Sequence, residues 1–227
     1  MKHLYSLAQL MALPFSPPEM VQLAADTGCS AAGIRMLPTT PGGLHYPLMT
    51  DAPMLRETLT RMAATGVAIL DLEVLRINAA FDVRHYTAFL DTGARLGARH
   101  ILVAGDDPDA SRMTASFAAL CDAAQPFGLT ADLEFMPWTN VPDVRAAARI
   151  VGGSGRPNGG VLVDALHFAR CERMVPGEGG IGLAALFARL PSDLPISIEV
   201  PSDTRAPAMG YAAWARLSIA AARAILE

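Results

Sequence analysis

Residues 100–135, HILVAGDDPDASRMTASFAALCDAAQPFGLTADLEF, contain the pattern that decides the fold. A short apolar run, His100–Ala104, is followed by a polar turn and by an Ala-rich stretch, 110–127, whose apolar residues have helical spacing. Gly128 ends that stretch, and a second apolar run, Thr130–Phe135, begins two residues later. The pattern predicts two parallel strands joined by a helical crossover, because parallel neighbours need a connection of about a dozen residues or more.

The same alternation recurs along the whole chain. Successive strands begin about 30 residues apart, which is the length of a βαβ unit. No glycine-rich GxGxxG motif follows the first strand, so a dinucleotide-binding fold loses its main support. We therefore predict an α/β fold, a TIM-type (β/α) barrel. The strands are predicted at 4–10, 31–36, 67–75, 100–104, 130–135, 160–164 and 195–200, and the helices at 17–28, 52–65, 83–96, 110–127, 141–151, 181–190 and 207–226.

The strand count is one short of the eight that such a barrel has. The gap lies between Asp164 and Ile181, where the sequence predicts only a loop. The length, 227 residues, is near the low end for this architecture, about 200 residues. We expect a single barrel domain, 1–227, that is incomplete if no eighth strand forms. An incomplete barrel exposes a sheet edge and so favours a homo-oligomer.

Composition excludes several classes of protein. Hydrophobic residues make up 52% of the chain and charged residues 18%, which is typical of a folded globular protein. The net charge of −4 does not fit a nucleic-acid binder. Cys29, Cys121 and Cys171 have no disulfide or zinc-ribbon spacing, and no apolar run is long enough to span a membrane. The first residues have no long apolar run before a cleavage site, so we expect no secretory leader. We expect a cytoplasmic protein.

Three acidic residues end predicted strands on their carboxyl side. These are Glu134, Asp164 and Glu199. In a barrel of this kind the active site lies at that end of the strands, so we expect the three to meet there. Carboxylates among apolar residues need neutralisation, and a divalent cation supplies it. Oxygen ligands favour Mn²⁺, Mg²⁺ or Co²⁺ as the cofactor. The alternative is that each acid pairs with an arginine or caps a helix.

Four motifs give the chain a resemblance to a known family. In order along the chain they are DLEFMPW (132–138), VDALHF (163–168), PGEG (176–179) and IEVPS (198–202). Together they resemble the sugar phosphate isomerase/epimerase family, whose members have a xylose isomerase-like TIM barrel. The resemblance covers nearly the whole chain.

The resemblance implies a role for each matching residue. Glu134 and Glu199 are expected to bind the metal and to act as the catalytic acid/base pair. Asp164 is expected to be a metal ligand, and His167 to contact a substrate hydroxyl or carbonyl oxygen. The expected reaction is isomerisation or epimerisation of a small sugar or sugar-like hydroxy-carbonyl compound by proton transfer through an enediolate.

One departure from the family pattern leaves the activity open. The helix–strand unit that the family has after Arg170, with one further His or Gln ligand, has no counterpart here. The metal site is then weaker, or completed by Cys171, by Glu172 or by a neighbouring subunit, or the protein is a catalytically impaired binding relative. A dehydratase acting on an inosose- or dehydroshikimate-like substrate is a further alternative, since it uses the same metal and base.

Four more residues are candidates for substrate binding, each with a structural alternative. His45 lies in a Pro- and Gly-rich loop after the second strand and is otherwise a surface residue. Glu73 ends the third strand and is equally suited to an internal ion pair. Trp138 is expected either to form an apolar wall under a sugar ring or to be a residue of the hydrophobic core. Arg205 receives a phosphate or carboxylate, or is a surface charge.

Overall fold

The computed structural model describes residues 3–169 and 174–227. Cys171 and Glu172, proposed above as substitute ligands, lie outside the described residues, as do Arg170 and Arg173. The described residues cluster into two compact units. Of the described residues, the first unit contains 3–34, 53–68 and 174–227, and the second contains 35–52 and 69–169.

Strands and helices alternate as predicted, and the strands are parallel. The described residues contain seven strands and no eighth, which confirms the predicted count. None of the helices in this part of the chain is both long and apolar enough to cross a membrane. The strands are β1 (Tyr5–Leu7), β2 (Ala31–Arg35), β3 (Ala68–Ile77), β4 (His100–Gly105), β5 (Thr130–Glu134), β6 (Gly159–Leu162) and β7 (Ile196–Ile198). The helices are α1 (Pro17–Asp26), α2 (Ala52–Thr65), α3 (Thr87–Arg95), α4 (Ala110–Ala124), α5 (Val144–Ser154), α6 (Ala165–Ala169), α7 (Leu183–Phe187), α8 (Arg205–Met209) and α9 (Tyr211–Leu226).

The first unit has β1 as its central strand. β1 pairs with β2 on one side and with β7 on the other, with Ser6 opposite Ala31 and opposite Ser197. The last helix, α9, covers this unit with the fully buried Trp214. The indole Nε1 of Trp214 donates a hydrogen bond of 2.7 Å to the carbonyl of Val200 and so fixes the chain just after β7.

The second unit contains β3 to β6, paired in chain order. Alternate residues of a strand point to opposite faces of the sheet, and β5 illustrates both faces. Ala131 is fully buried, and a Cβ on Gly159, its partner on β6, would contact Phe117 of α4. On the other face, the side chain of Asp132 lies over Gly160, where a Cβ would approach it to 2.2 Å. Glu134 shares this second face by its spacing from Asp132.

Local sequence explains where the structure departs from the predicted helix bounds. The helix expected at 141–151 begins at Val144, because the side chain of Asp143 accepts the backbone N–H of Ala146 and caps it. The helix expected at 207–226 is divided into α8 and α9 at Gly210. Gly210 has φ of +85°, a conformation that favours glycine and ends a helix. The five-residue helix α6 was not predicted.

Candidate metal centre

Glu134 is the last residue of β5 and is 6% exposed. It lies opposite Ala104 of β4 and Leu162 of β6, so strands on both sides hold its backbone. Because β5 ends at Glu134, the side chain of Glu134 lies at the carboxyl end of the strand, as the sequence predicted. A rigid strand position suits a residue that must hold a ligand in one geometry.

Asp164 and His167 occupy the turn from β6 into α6. The Asp164 Oδ1 accepts a hydrogen bond of 2.7 Å from the backbone N–H of Leu166 and so caps α6. His167 follows in the first turn of that helix and is 5% exposed. A separation of three residues places two side chains on the same side of a helix. The short helix α6 therefore brings the imidazole of His167 back toward the carboxylate of Asp164.

Glu134, Asp164 and His167 form one cluster. The His167 Nε2 lies 3.5 Å from the Glu134 Oε1 and 3.5 Å from the Asp164 Oδ2. One ligand atom from each of the three residues lies within 4.8 Å of the other two. Two of the three predicted strand-end acids thus meet, and the histidine expected to contact substrate lies between them.

The donor set of this cluster fits a divalent cation. Ligand atoms bonded to such an ion at about 2.0–2.2 Å lie about 3.0–3.5 Å from one another in octahedral or tetrahedral coordination. The two imidazole–carboxylate distances of 3.5 Å are at the upper end of this range. Two carboxylates and one imidazole are ligands for Mn²⁺, Co²⁺ or Zn²⁺. Glu134, Asp164 and His167 are therefore the residues that could hold the expected metal.

Trp138 lies beside the cluster, in the turn that follows β5. Its ring meets that of His167 edge to face, with centroids 4.8 Å apart and planes at 89°. Trp138 is 66% exposed, which excludes the core alternative. The buried polar cluster therefore has an exposed aromatic surface next to it, and a sugar-binding role for Trp138 stays a prediction.

Glu73 has a different partner from Glu134. Its Oε2 accepts a hydrogen bond of 3.0 Å from the Arg35 Nη2, and the two residues are 2% and 6% exposed. This is the internal ion pair that the sequence analysis gave as the alternative. The predicted position of Glu73 at the end of its strand was wrong, because β3 continues to Ile77. Sequence reasoning missed Arg35, the final residue of β2; an arginine at the end of an apolar strand was the available signal. His45, a further candidate in this unit, has its Nδ1 2.9 Å from the carbonyl oxygen of Gly43 in its own loop, and its substrate-binding role stays a prediction.

Glu199 and Arg205 belong to the first unit. Glu199 directly follows β7 and is half-buried. Arg205 donates to Glu178 at 2.9 Å and lies over the ring of Trp214, 4.6 Å from its centroid. The hydrogen bond lowers the pKa of Glu178 and raises that of Arg205. The charge of Arg205 is thus already engaged by a carboxylate and an aromatic ring, and the site roles of Glu199 and Arg205 stay predictions.

The strands, their order and their helices define the xylose isomerase-like TIM-barrel fold, as the sequence predicted. The IolI protein with a bound zinc atom matches with a TM-score of 0.78 and 15% identity over 98% of this chain and 97% of that one. A xylose isomerase domain-containing protein from Salmonella typhimurium LT2 matches with a TM-score of 0.78 and 12% identity over 100% and 98%. D-allulose 3-epimerase from Methylomonas sp., in complex with D-allulose, matches with a TM-score of 0.74 and 16% identity over 98% and 97%.

At these identities the likeness establishes the fold, and the activity must be argued from the site. No family model and no curated protein matches the sequence.

Proposed function

We propose that the protein is a metal-dependent isomerase or epimerase of a small sugar or sugar-like hydroxy-carbonyl compound. The observation that carries the proposal is the cluster of Glu134, Asp164 and His167 at the carboxyl ends of β5 and β6. Active sites of TIM barrels lie at this end of the strands. The proposal also draws support from the zinc-bound IolI protein and from the D-allulose-bound 3-epimerase, which have the same fold.

In this mechanism Glu134 and Asp164, with Glu199 as the further ligand that the family resemblance implies, would hold a divalent ion. The ion would supply stabilisation of the negative charge that develops on the substrate oxygens. The carboxylate of Glu134 takes the proton from the carbon next to the carbonyl, and the electron pair of that C–H bond moves into the enediolate. Glu199 returns a proton to carbon. Glu199 starts protonated for this step. Delivery to the opposite face of the same carbon completes an epimerisation; delivery to the former carbonyl carbon, with transfer of the adjoining hydroxyl proton to the former carbonyl oxygen, completes an isomerisation.

Aromatic and apolar surface near the ion would orient the substrate. The exposed indole of Trp138 presents a flat apolar face beside the cluster, and the C–H face of a sugar ring is apolar enough to pack against it. The buried position of Glu134 keeps bulk water away from the carboxylate that exchanges the proton.

The test is proton exchange catalysed by purified protein in D₂O. Wild-type protein with Mn²⁺ or Co²⁺ is incubated with a panel of ketohexoses, their phosphates and inososes, and deuterium at the carbon next to the carbonyl is followed by NMR. We expect exchange with at least one member, and a loss of about 10²- to 10⁴-fold in Glu134→Gln and in Glu199→Gln.

The matched control is Glu57→Gln, the same substitution at an exposed residue of α2, which should leave the rate unchanged. Near-normal exchange in both active-site variants would show that the acid/base assignment is wrong. Product formation with loss of water would identify a dehydratase instead.

A further inference from the structure

We infer that His167 is itself a ligand of the metal ion, in place of the substrate-contact role that the family resemblance implies. This inference rests on the proposed function, because it concerns the same ion. It rests on three observations in the second unit: the distances around Nε2, the burial of the ring, and the position of Trp138.

The distances favour a shared ion over direct hydrogen bonds from Nε2 to these two oxygens. A charge-assisted N–H···O bond is about 2.7–2.9 Å long. The His167 Nε2 lies 3.5 Å from the Glu134 Oε1 and equally far from the Asp164 Oδ2. These two separations fit ligands that share one ion, since an ion between the atoms keeps adjacent ligands about 3.0–3.5 Å apart. The three ligand atoms lie within 4.8 Å of one another, so the two carboxylates would draw closer together when an ion binds.

The low exposure of His167 and the high exposure of Trp138 favour Trp138, and not His167, as the residue that faces the substrate. His167 is 5% exposed, and Nε2 faces two carboxylates. Trp138 is 66% exposed and packs edge to face with the imidazole ring. An aromatic edge-to-face contact of this kind favours one orientation of the imidazole ring. Trp138 thus presents the surface that a substrate would reach, and the imidazole behind it is positioned to bind the ion.

A histidine ligand changes which metal the site prefers. Mg²⁺ favours oxygen ligands only, whereas imidazole suits Zn²⁺, Co²⁺ and other transition metals. His167 would also supply the third protein donor from the same short segment, 134–167, that provides the two carboxylates. This compensates for the His or Gln ligand that the family resemblance led us to expect after Arg170 and that the sequence lacks.

The test is the affinity of the metal-free protein for Co²⁺, measured by isothermal titration without any substrate. We expect a stoichiometric site in the wild type that Zn²⁺ displaces and millimolar Mg²⁺ does not. His167→Gln should weaken Co²⁺ binding by more than about 100-fold, since losing even an outer-shell partner of a ligand costs about 10- to 100-fold. His85→Gln, at an exposed histidine of the same unit, is the matched control and should bind as the wild type.

A second variant gives a signal that a merely structural role does not produce. His167→Cys keeps a metal-binding atom at this position, so it should retain Co²⁺ and show a new near-ultraviolet thiolate-to-cobalt absorption that the wild type lacks. The wild-type protein gives an independent readout, because bound Co²⁺ should quench the fluorescence of Trp138, and Trp138→Phe should remove that quenching without changing the stoichiometry.

The outcomes separate this inference from the proposed function. If His167→Gln binds Co²⁺ like the wild type, or His167→Cys shows no new absorption, the ligand role is overturned. The proposed function stands in that case, provided that Glu134→Gln and Asp164→Asn still lose the metal. If the wild type binds no divalent ion, both are overturned.

Discussion

Two buried glutamates in the second unit show opposite uses of the same side chain. Glu73 on β3 is 2% exposed and binds Arg35 at 3.0 Å. Glu134 at the end of β5 is 6% exposed, and its carboxylate lies near the imidazole of His167 and the carboxylate of Asp164. The two side chains are therefore similarly buried, but Glu73 lies next to a guanidinium and Glu134 lies next to an imidazole and a second carboxylate.

The comparison shows that the neighbours of a buried acid, not its burial, indicate its function. An acid paired with a guanidinium is compensated within the protein, and the pair holds two chain segments together. Two carboxylates gathered around one imidazole repel each other, and a divalent cation bound between them relieves that repulsion. We therefore assign Glu73 to the stability of the unit, whereas Glu134 has the neighbours of the proposed metal site.

The largest effect on stability is expected from breaking the Glu73–Arg35 pair. Arg35→Met leaves the buried carboxylate of Glu73 without its cation and should lower the free energy of unfolding by about 3–5 kcal/mol. Urea denaturation followed by circular dichroism measures this change. Metal affinity should not change, because neither Arg35 nor Glu73 supplies a ligand atom to the cluster at Glu134.

The double variant Arg35→Met/Glu73→Leu is the control for this prediction. With both charges replaced by apolar side chains, stability should return to the wild-type value or exceed it by about 1–4 kcal/mol. A loss below about 1 kcal/mol in Arg35→Met alone would show that the pair contributes little, and the contrast with Glu134 would fail.

A smaller effect separates the two tasks of Asp164, which caps α6 and belongs to the metal cluster. Asp164→Asn keeps a side-chain oxygen for the cap and removes the charge, whereas Asp164→Ala removes both. In the presence of EDTA, we expect Asp164→Ala to be about 1 kcal/mol less stable than Asp164→Asn. Both variants should lose metal affinity.

Unfolding in urea with EDTA, together with Co²⁺ titration, measures the two tasks of Asp164 separately. Equal stability of the two variants would contradict the cap, and retained Co²⁺ binding in Asp164→Asn would contradict the ligand role.

The sequence predicted the strands well because their signal is local. Apolar runs ended by an acidic residue placed Glu134 and Asp164 at the carboxyl ends of β5 and β6 within two residues of their observed positions. Glycine and capping signals shifted helix ends by a few residues, as at Asp143 and Gly210. The predicted seven strands follow from the same local alternation.

Contacts between distant residues were less accessible from sequence. The Glu73–Arg35 pair joins residues 38 positions apart, and only their three-dimensional arrangement decides whether the acid meets a cation or another acid. The burial of His167 depends on the unpredicted helix α6, and the exposure of Trp138 depends on the turn after β5. The sequence therefore identified the residues of the cluster but not the ligand role that we propose for His167.

The central claim is that Glu134, Asp164 and His167 converge on one divalent ion. Crystals of the protein grown with Co²⁺ or Zn²⁺ test it through anomalous diffraction at the absorption edge of the metal. We predict one peak about 2.0–2.3 Å from a carboxylate oxygen of Glu134, a carboxylate oxygen of Asp164 and the Nε2 of His167. The absence of a peak at this position in fully loaded crystals, or a peak bound only by other residues, would contradict the account.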